Sequence, residues 1–108
     1  MNIKFTKKLS HIKYATKKQM IEEFWDIEGI IKNHSNQVFK FDIRPIKNNA
    51  KIGHFKTKAD KMVFDIGGRY IIIDTKELNY YIKENKVKDV HLQYLISKLD
   101  WNIILSKK

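Results

Sequence analysis

The chain has 108 residues, with 22 Lys and Arg against 12 Asp and Glu, a formal net charge of +10 and no cysteine. That length allows one domain with its own hydrophobic core, and the missing thiols exclude disulfides, thiolate metal sites and cysteine nucleophiles. The longest apolar stretches, Tyr70–Ile73 and Trp101–Leu105, are too short to cross a membrane. We therefore expect one soluble, cytoplasmic domain over residues 1–108.

The positive charge is concentrated in the first part of the chain. Residues 1–61 carry 14 basic and 6 acidic side chains, whereas residues 62–108 carry 8 and 6. Such an excess attracts polyanions and accelerates their encounter with the protein. Two interpretations stay open: a nucleic-acid or acidic-protein partner, or a lysine-rich surface that is merely solvated.

The first third of the chain predicts one long helix over residues 16–33. Its hydrophobic side chains recur at helical spacing, on Met20, Phe24, Ile27 and Ile31. Thr16 is a suitable N-cap, with Gln19 as its capping-box partner, and Trp25 is expected to close the core. Before this helix, Met1–Phe5 alternates weakly and fits either a strand or the start of a helix.

The middle of the chain predicts a strand, a basic loop and a hairpin. Val38–Ile43 alternates as a strand does, with a short helix as the alternative, and Pro45 ends it. The loop then runs to Asp60. Two β-rich runs over residues 61–66 and 69–75 flank Gly67–Gly68, which permits the positive φ of a tight turn. Tyr70–Ile73 is continuously apolar, as a strand covered on both faces would be.

The C-terminal part is less distinct. Asn79–Lys88 resembles a turn with a mobile basic tip, and Lys88–Ser97 fits a strand and a helix equally well. Trp101–Leu105 fits a closing turn or helix. Together these elements predict a small α+β domain, with one or two N-terminal helices packed on an antiparallel sheet of three or more strands.

The residues also limit the chemistry. The sequence has no phosphate-binding loop, no HExxH, no metal-spaced His/Asp cluster and no nucleophile elbow, so no metal or other cofactor is expected. Lysines, arginines and aromatic side chains suffice for one reaction class, the attack of an RNA 2′-hydroxyl on the adjacent phosphate. In that reaction the protein aligns the attack, stabilises the phosphate charge and moves protons.

Two segments resemble a known family. MVFDIGGRY at Met62–Tyr70 resembles the VVFNIGGNKYR hairpin of HigB toxins from type II toxin–antitoxin systems. VHLQYLISKLDW at Val90–Trp101 is similar to their closing strand, of the form VFIRHVLTHAEYD. The resemblance implies a RelE-like fold, makes Lys88–Ser97 a strand, and implies a metal-independent endoribonuclease (an mRNA interferase). Such a toxin acts on mRNA, often on the ribosome, and is neutralised by an antitoxin.

The resemblance also assigns the candidate site residues. Lys98, Arg69 and Trp101 are the candidate catalytic residues, and the RNA-binding candidates before the hairpin are Lys56, Lys58 and Lys61. The chain departs from the family pattern, because Ile71 occupies the usual arginine position and Lys98 the usual histidine position. The alternative therefore stays open: a catalytically silent module on the same fold that binds RNA, the ribosome or a protein.

Overall fold

The fold is built on a six-stranded sheet. The computed structural model describes residues 3–107, with side chains from residue 5 onward. The sheet has the order β1-β2-β3-β5-β6-β8, and a separate two-stranded sheet joins β4 to β7. The strands are β1 (Leu9–Tyr14), β2 (Ile27–Ile31), β3 (Val38–Pro45), β4 (Lys51–Gly53), β5 (Lys61–Asp65), β6 (Arg69–Asp74), β7 (Asp89–His91) and β8 (Asn102–Ser106).

Within the large sheet one neighbouring pair of strands is parallel. β3 and β5 run in the same direction, with Phe41 opposite Lys61, whereas the other neighbours are antiparallel. A parallel pair needs a crossover connection, and residues 46–60 provide it. This crossover carries β4, so the basic segment predicted as a loop is tied down by its pairing with β7.

Short helices cover the faces of the sheet. They are α1 (Ile3–Thr6), α2 (Lys17–Glu22), α3 (Thr75–Glu84) and α4 (Leu92–Ile96). α3 and α4 bury Leu78, Ile82, Leu92 and Leu95 against one face of β5 and β6. The opposite face packs on Phe5 of α1 and on residues of β2 and β3.

The prediction of a RelE-like α+β domain is wrong. The described chain is mostly strand, and its large sheet is mixed rather than antiparallel. The helices that cover the sheet, α3 and α4, come late in the chain, whereas the N-terminal helices are only four and six residues long. α2 contributes no buried side chain, and α1 packs on the sheet through Phe5.

The predicted helix over residues 16–33 is confirmed only in its first turn and a half. The capping box forms as expected, because the amide of Gln19 donates to Thr16 Oγ1 at 3.1 Å and the amide of Thr16 donates to Gln19 Oε1 at 2.9 Å. After α2 the chain turns at Phe24 and continues as β2. Trp25 is buried in the core, as predicted, with 1% of its surface exposed.

The central hairpin is confirmed. β5 and β6 pair from Lys61 opposite Asp74 to Asp65 opposite Tyr70, and Gly67 adopts a φ of 104° in the turn. Tyr70–Ile73 is buried on both faces, as its continuous apolar run predicts. The strand prediction for Val38–Ile43 is also confirmed, and β3 ends at Pro45.

The C-terminal predictions are wrong in three places. Asn79–Lys88 is mostly helix rather than a turn, because α3 extends to Glu84. Lys88–Ser97 is not one strand, as the resemblance implied, but is divided between β7 and α4. Trp101–Leu105 leads into β8, an edge strand, rather than into a turn or helix. At the other end, Met1 and Asn2 lie outside the described residues, and residues 3–6 form α1.

Candidate functional site

Helix α3 organises the charged surface of the molecule. It begins where Asp74, as N-cap, accepts a hydrogen bond from the amide of Glu77 at 3.0 Å. Lys76 and Lys83 lie seven residues apart and so share one side of the helix, whereas Glu77 and Glu84 share the next side, about 100° around the axis. The helix therefore separates a basic surface from an acidic one.

On the basic side, a lower cleft of about 590 Å³ opens beside the start of α3. Lys58, Lys61 and Lys76 line it together with Asp60 and Asp74. Phe39 and Trp101 supply aromatic walls, and their rings meet edge to face at 6.0 Å between centroids. Two of the predicted RNA-binding residues, Lys58 and Lys61, thus share a cleft with one predicted catalytic residue, Trp101.

The ammonium group of Lys61 is fixed within this cleft. Its Nζ donates to Asp74 Oδ1 at 2.8 Å and lies 3.7 Å from the centre of the Trp101 ring and 4.5 Å from that of Phe39. Only 5% of Lys61 is exposed. Its charge is already neutralised by a carboxylate and two aromatic faces, so it offers less to an incoming phosphate than the exposed lysines around it.

An upper cleft of about 490 Å³ continues along α3. Asn79 lines both clefts and joins them. Its side chain accepts from the amide of Phe55 and donates to the Phe55 carbonyl, both at 3.1 Å, which holds the 54–60 segment against the helix. The other lining residues of the upper cleft are His54, Tyr80, Ile82, Lys83, Lys86 and Val87. We call the two joined clefts the basic groove.

The basic groove is strongly positive in its upper half. Five lysines and two aspartates line the whole groove, and both aspartates belong to the lower cleft. In the upper cleft, Lys83 and Lys86 lie beside Tyr80 with no acidic lining residue among those described. The side chain of Lys56 is exposed on the segment that borders the groove.

The third candidate catalytic residue lies on the acidic side of α3. Lys98 lines a third cleft with Glu77, Glu84 and Asp100, and this cleft meets the upper cleft at Tyr80. The Nζ of Lys98 lies 5.2 Å from the centre of the Tyr94 ring. In addition, the Glu77 carboxylate accepts from the amides of Asp100 and Trp101, at 2.6 and 3.1 Å. Lys98 therefore shares its cleft with three carboxylates and lies on the other side of the helix from Lys58.

Arg69 lies at the far end of the hairpin. It pairs with Ser106, whereas Asn102, which follows Trp101, pairs with Ile73. Four residues of strand, about 13 Å, separate these two pairings. The structure thus places Arg69, Lys98 and Trp101 in three different surroundings and does not bring them together.

The chain matches none of the protein-family models, curated proteins or solved structures with which it was compared. Its own residues therefore carry the functional proposal. Between residues 3 and 107, no three His, Asp or Glu side chains come together as a metal site requires. In the same range, no helix is long and apolar enough to cross a membrane.

The geometry of the groove suits binding to a polyanion. Exposed ammonium groups attract phosphates, and an exposed aromatic ring offers a face for a base. The sequence analysis missed four of the residues that form it: Lys76, Asn79, Lys83 and Lys86. These residues could have been found by predicting α3. Asp74 and Glu77 have the spacing of a helix N-cap, and Leu78 and Ile82 have the helical spacing of a buried side.

Proposed function

We propose that this protein binds RNA along the basic groove without cleaving it. The observation that carries the proposal is the continuity of the groove, in which five lysines line two clefts joined at Asn79. The net charge of +10 supports it, because a strongly positive protein gathers polyanions from a distance and the groove then gives them a place to bind.

The exposed lysines supply the affinity. Lys76 and Lys83 are separated by about 10 Å along α3. Lys58 lines the lower cleft with Lys76, and Lys86 lines the upper cleft with Lys83, so one RNA backbone meets several ammonium groups at once. Each neutralised phosphate releases condensed counterions, and binding therefore weakens as salt is added. The lysines lie on α3 and on the 54–60 segment, which the two hydrogen bonds between Asn79 and Phe55 hold together. The groove therefore has its shape in the absence of RNA.

The separation of the candidate catalytic residues favours binding over cleavage. Attack by a 2′-hydroxyl needs a phosphate stabiliser, a base and an acid around one phosphate. Arg69, Lys98 and Trp101 lie in three different surroundings. Cleavage of mRNA, action on the ribosome and neutralisation by an antitoxin stay predictions, and the same experiment examines cleavage.

The test is fluorescence anisotropy with a labelled single-stranded RNA, titrated with salt, for three proteins. The first is the wild type, the second carries Lys83→Ala and Lys86→Ala, and the third carries Lys13→Ala and Lys98→Ala. Both variants lose two positive charges, but only the first pair lies in the groove. We expect the groove variant to bind more weakly and to lower the slope of log K against log[salt] by about 1.4, because each phosphate contact contributes about 0.7.

The matched control pair should leave both quantities nearly unchanged, since Lys98 lies among carboxylates and Lys13 is on the outer strand β1. Equal losses in the two variants would show that only the total charge matters and would contradict a groove. The RNA recovered from each sample is run on a denaturing gel. Cleavage products from wild type that disappear in the variant with Lys13→Ala and Lys98→Ala, or in an additional Arg69→Ala variant run on the same gel, would replace the binding proposal with the ribonuclease.

A further inference from the structure

The upper cleft differs from the rest of the groove because it contains an unoccupied aromatic face. Tyr80 is 65% exposed, more than any other large hydrophobic side chain in the described part of the chain. Among the other exposed aromatic rings, Tyr94 has the ammonium of Lys98 5.2 Å from its centre, whereas Tyr14 and Phe24 are also uncovered but line neither cleft of the groove. Over residues 5–107, no second ring and no lysine or arginine packs on Tyr80.

We propose that the upper cleft holds one unstacked base of single-stranded RNA, with the base against the Tyr80 ring and the flanking phosphates on Lys83 and Lys86. This inference rests on the proposed function and names the form of RNA that the groove takes. Tyr80 lies between the two charged ends of its helix face, four residues after Lys76 and three before Lys83, so a base on its ring keeps the backbone within reach of both lysines.

The lining of the cleft is suited to a base rather than to phosphate alone. Ile82 and Val87 give it apolar surface beside the tyrosine, while the two lysines supply the charge. An unstacked RNA base has an apolar ring face that is able to pack on this surface, whereas a phosphate group has no apolar surface. In a duplex the faces of the bases are buried in the stack, so the ring of Tyr80 has nothing to stack on.

The cleft discriminates only weakly between bases. The amide group of Asn79, the best reader of a base edge, is already bonded to the backbone of Phe55 through both its oxygen and its nitrogen. His54 remains as the polar lining residue that is able to contact a base edge. Stacking tolerates every base, so binding depends on the presence of a base more than on its identity.

The experiment compares three probes of equal length, about 12 nucleotides, at about 50 mM salt. They are a single strand with one 2-aminopurine, the same strand with abasic sites, and a duplex. The proteins are wild type, Tyr80→Ala, Tyr80→Phe and Tyr94→Ala. Tyr94 is the matched control, since it is an exposed tyrosine outside the groove. Unchanged circular dichroism and melting temperature establish that each variant is folded.

We expect Tyr80→Ala to weaken binding of the base-bearing strand about tenfold and to abolish quenching of the 2-aminopurine. Tyr80→Phe keeps the ring and should keep both signals, and Tyr94→Ala should match wild type. The abasic strand should bind wild type and Tyr80→Ala equally. Equal weakening of the base-bearing and abasic strands, or wild-type affinity for the duplex equal to that for the strand, would overturn the base cleft while leaving groove binding intact. Failure of wild type to bind any probe would overturn both proposals.

Discussion

The Nζ of Lys61 lies 2.8 Å from Oδ1 of Asp74, at the point where β5 and β6 pair and α3 begins. Asp74 has a second function there, because its other carboxylate oxygen accepts from the amide of Glu77 and caps the helix. One carboxylate thus fixes both the lysine inside the lower cleft and the helix that forms its wall. The position of the basic groove on the sheet depends on this residue.

Removing the carboxylate of this ion pair should destabilise the protein more than removing its ammonium group. Asp74→Asn leaves a side-chain oxygen to cap α3 but leaves the ammonium of Lys61 buried without its counter-charge. We expect it to lower the free energy of unfolding by about 2 kcal/mol, less than the 3–5 kcal/mol typical of fully buried pairs, because the cleft admits water. Lys61→Met removes the buried ammonium group and keeps the side-chain length. The Asp74 carboxylate that it leaves is 26% exposed and still accepts from the amide of Glu77, so we expect a loss of less than about 1 kcal/mol.

A double-mutant cycle in urea measures the coupling. The variant with both changes should be more stable than Asp74→Asn alone, since no unpaired charge then remains in the cleft. If the two losses simply add, the pair contributes no coupling and Lys61 is held by the rings of Phe39 and Trp101 instead.

The central hairpin is predictable from sequence because its signals are local and its burial is extreme. Tyr70–Ile73 is apolar at every position, which few environments other than a doubly covered strand accept, and Gly67 supplies the positive φ. The resemblance to HigB rested on this hairpin and on Val90–Trp101, which it implied to be a closing strand. The hairpin forms, whereas Val90–Trp101 is divided between β7, α4 and the residues before β8, so the implied fold is wrong.

The prediction of one long helix over residues 16–33 is wrong for a different reason. Ile27 and Ile31 are four residues apart, and four is a multiple of the strand period as well as close to the helical turn. In β2, residues 27, 29 and 31 are all buried, with Gly29 between the two isoleucines where β1 approaches closely. Long-range pairing with β1 and β3 decides for a strand, and the local hydrophobic pattern does not show that pairing.

The candidate site was predicted only in part, because it too depends on contacts between residues that are distant in the sequence. Lys58, Lys61 and Trp101 come together because β6 pairs with β5 on one side and with β8 on the other, but the upper half of the groove depends on α3. Treating Asn79–Lys88 as a turn removed the spacing that puts Tyr80 and Lys83 on one face. The role of Lys56, exposed beside the groove, stays a prediction.

Helix α2 should be stabilised locally and contribute little to the global stability. It has a complete capping box but no buried residue, and Ile21 is 62% exposed. We expect Thr16→Ala to change the free energy of unfolding by less than about 1 kcal/mol while hydrogen exchange accelerates at the amides of α2. Ile21→Gln should stay within about 0.5 kcal/mol of wild type. A global loss above about 2 kcal/mol from either change would show that α2 is packed.

Two glycines give a matched test of the crossover. A Cβ at Gly53 would lie 2.9 Å from the backbone oxygen of Lys88, whereas at Gly68 it would meet nothing within 4 Å. We expect Gly53→Ala to push β4 from β7 and cost about 1–3 kcal/mol, as overpacking does. Gly68→Ala should leave the free energy of unfolding unchanged or raise it by about 0.5 kcal/mol, because alanine lowers the conformational entropy of the unfolded chain.

Urea unfolding of the two glycine variants measures both effects. RNA binding adds a second readout, because β4 precedes the segment that forms one wall of the groove. We expect Gly53→Ala to weaken binding and Gly68→Ala to leave it unchanged. Equal stability of the two variants would mean that β7 moves aside without cost.

Asp26 should make the stability of the protein depend on acidic pH. Burial raises the pKa of its carboxyl above the ordinary 3.8, and the nearby Asp42 raises it further, although the amide of Ile43 donates to Asp26 Oδ2 at 2.7 Å and opposes the shift. The folded state then keeps this proton at a pH where the unfolded state has lost it. The contribution of Asp26 to the free energy of unfolding therefore falls as the pH rises from 3.8 through the folded-state pKa of this group.

The Asp26→Asn variant isolates that contribution. Its side-chain oxygen still accepts from the amide of Ile43, but it does not ionise, so the destabilising charge is absent at neutral pH. Compared with wild type by urea unfolding, the variant should gain stability as the pH rises from 3.8 through the folded-state pKa of Asp26 and keep a constant advantage above that pKa. Carboxylates that do not interact with Asp26 titrate alike in both proteins and cancel in the difference. A difference that stays flat with pH, or an NMR titration of Asp26 with a midpoint at or below 3.8, would contradict the raised pKa.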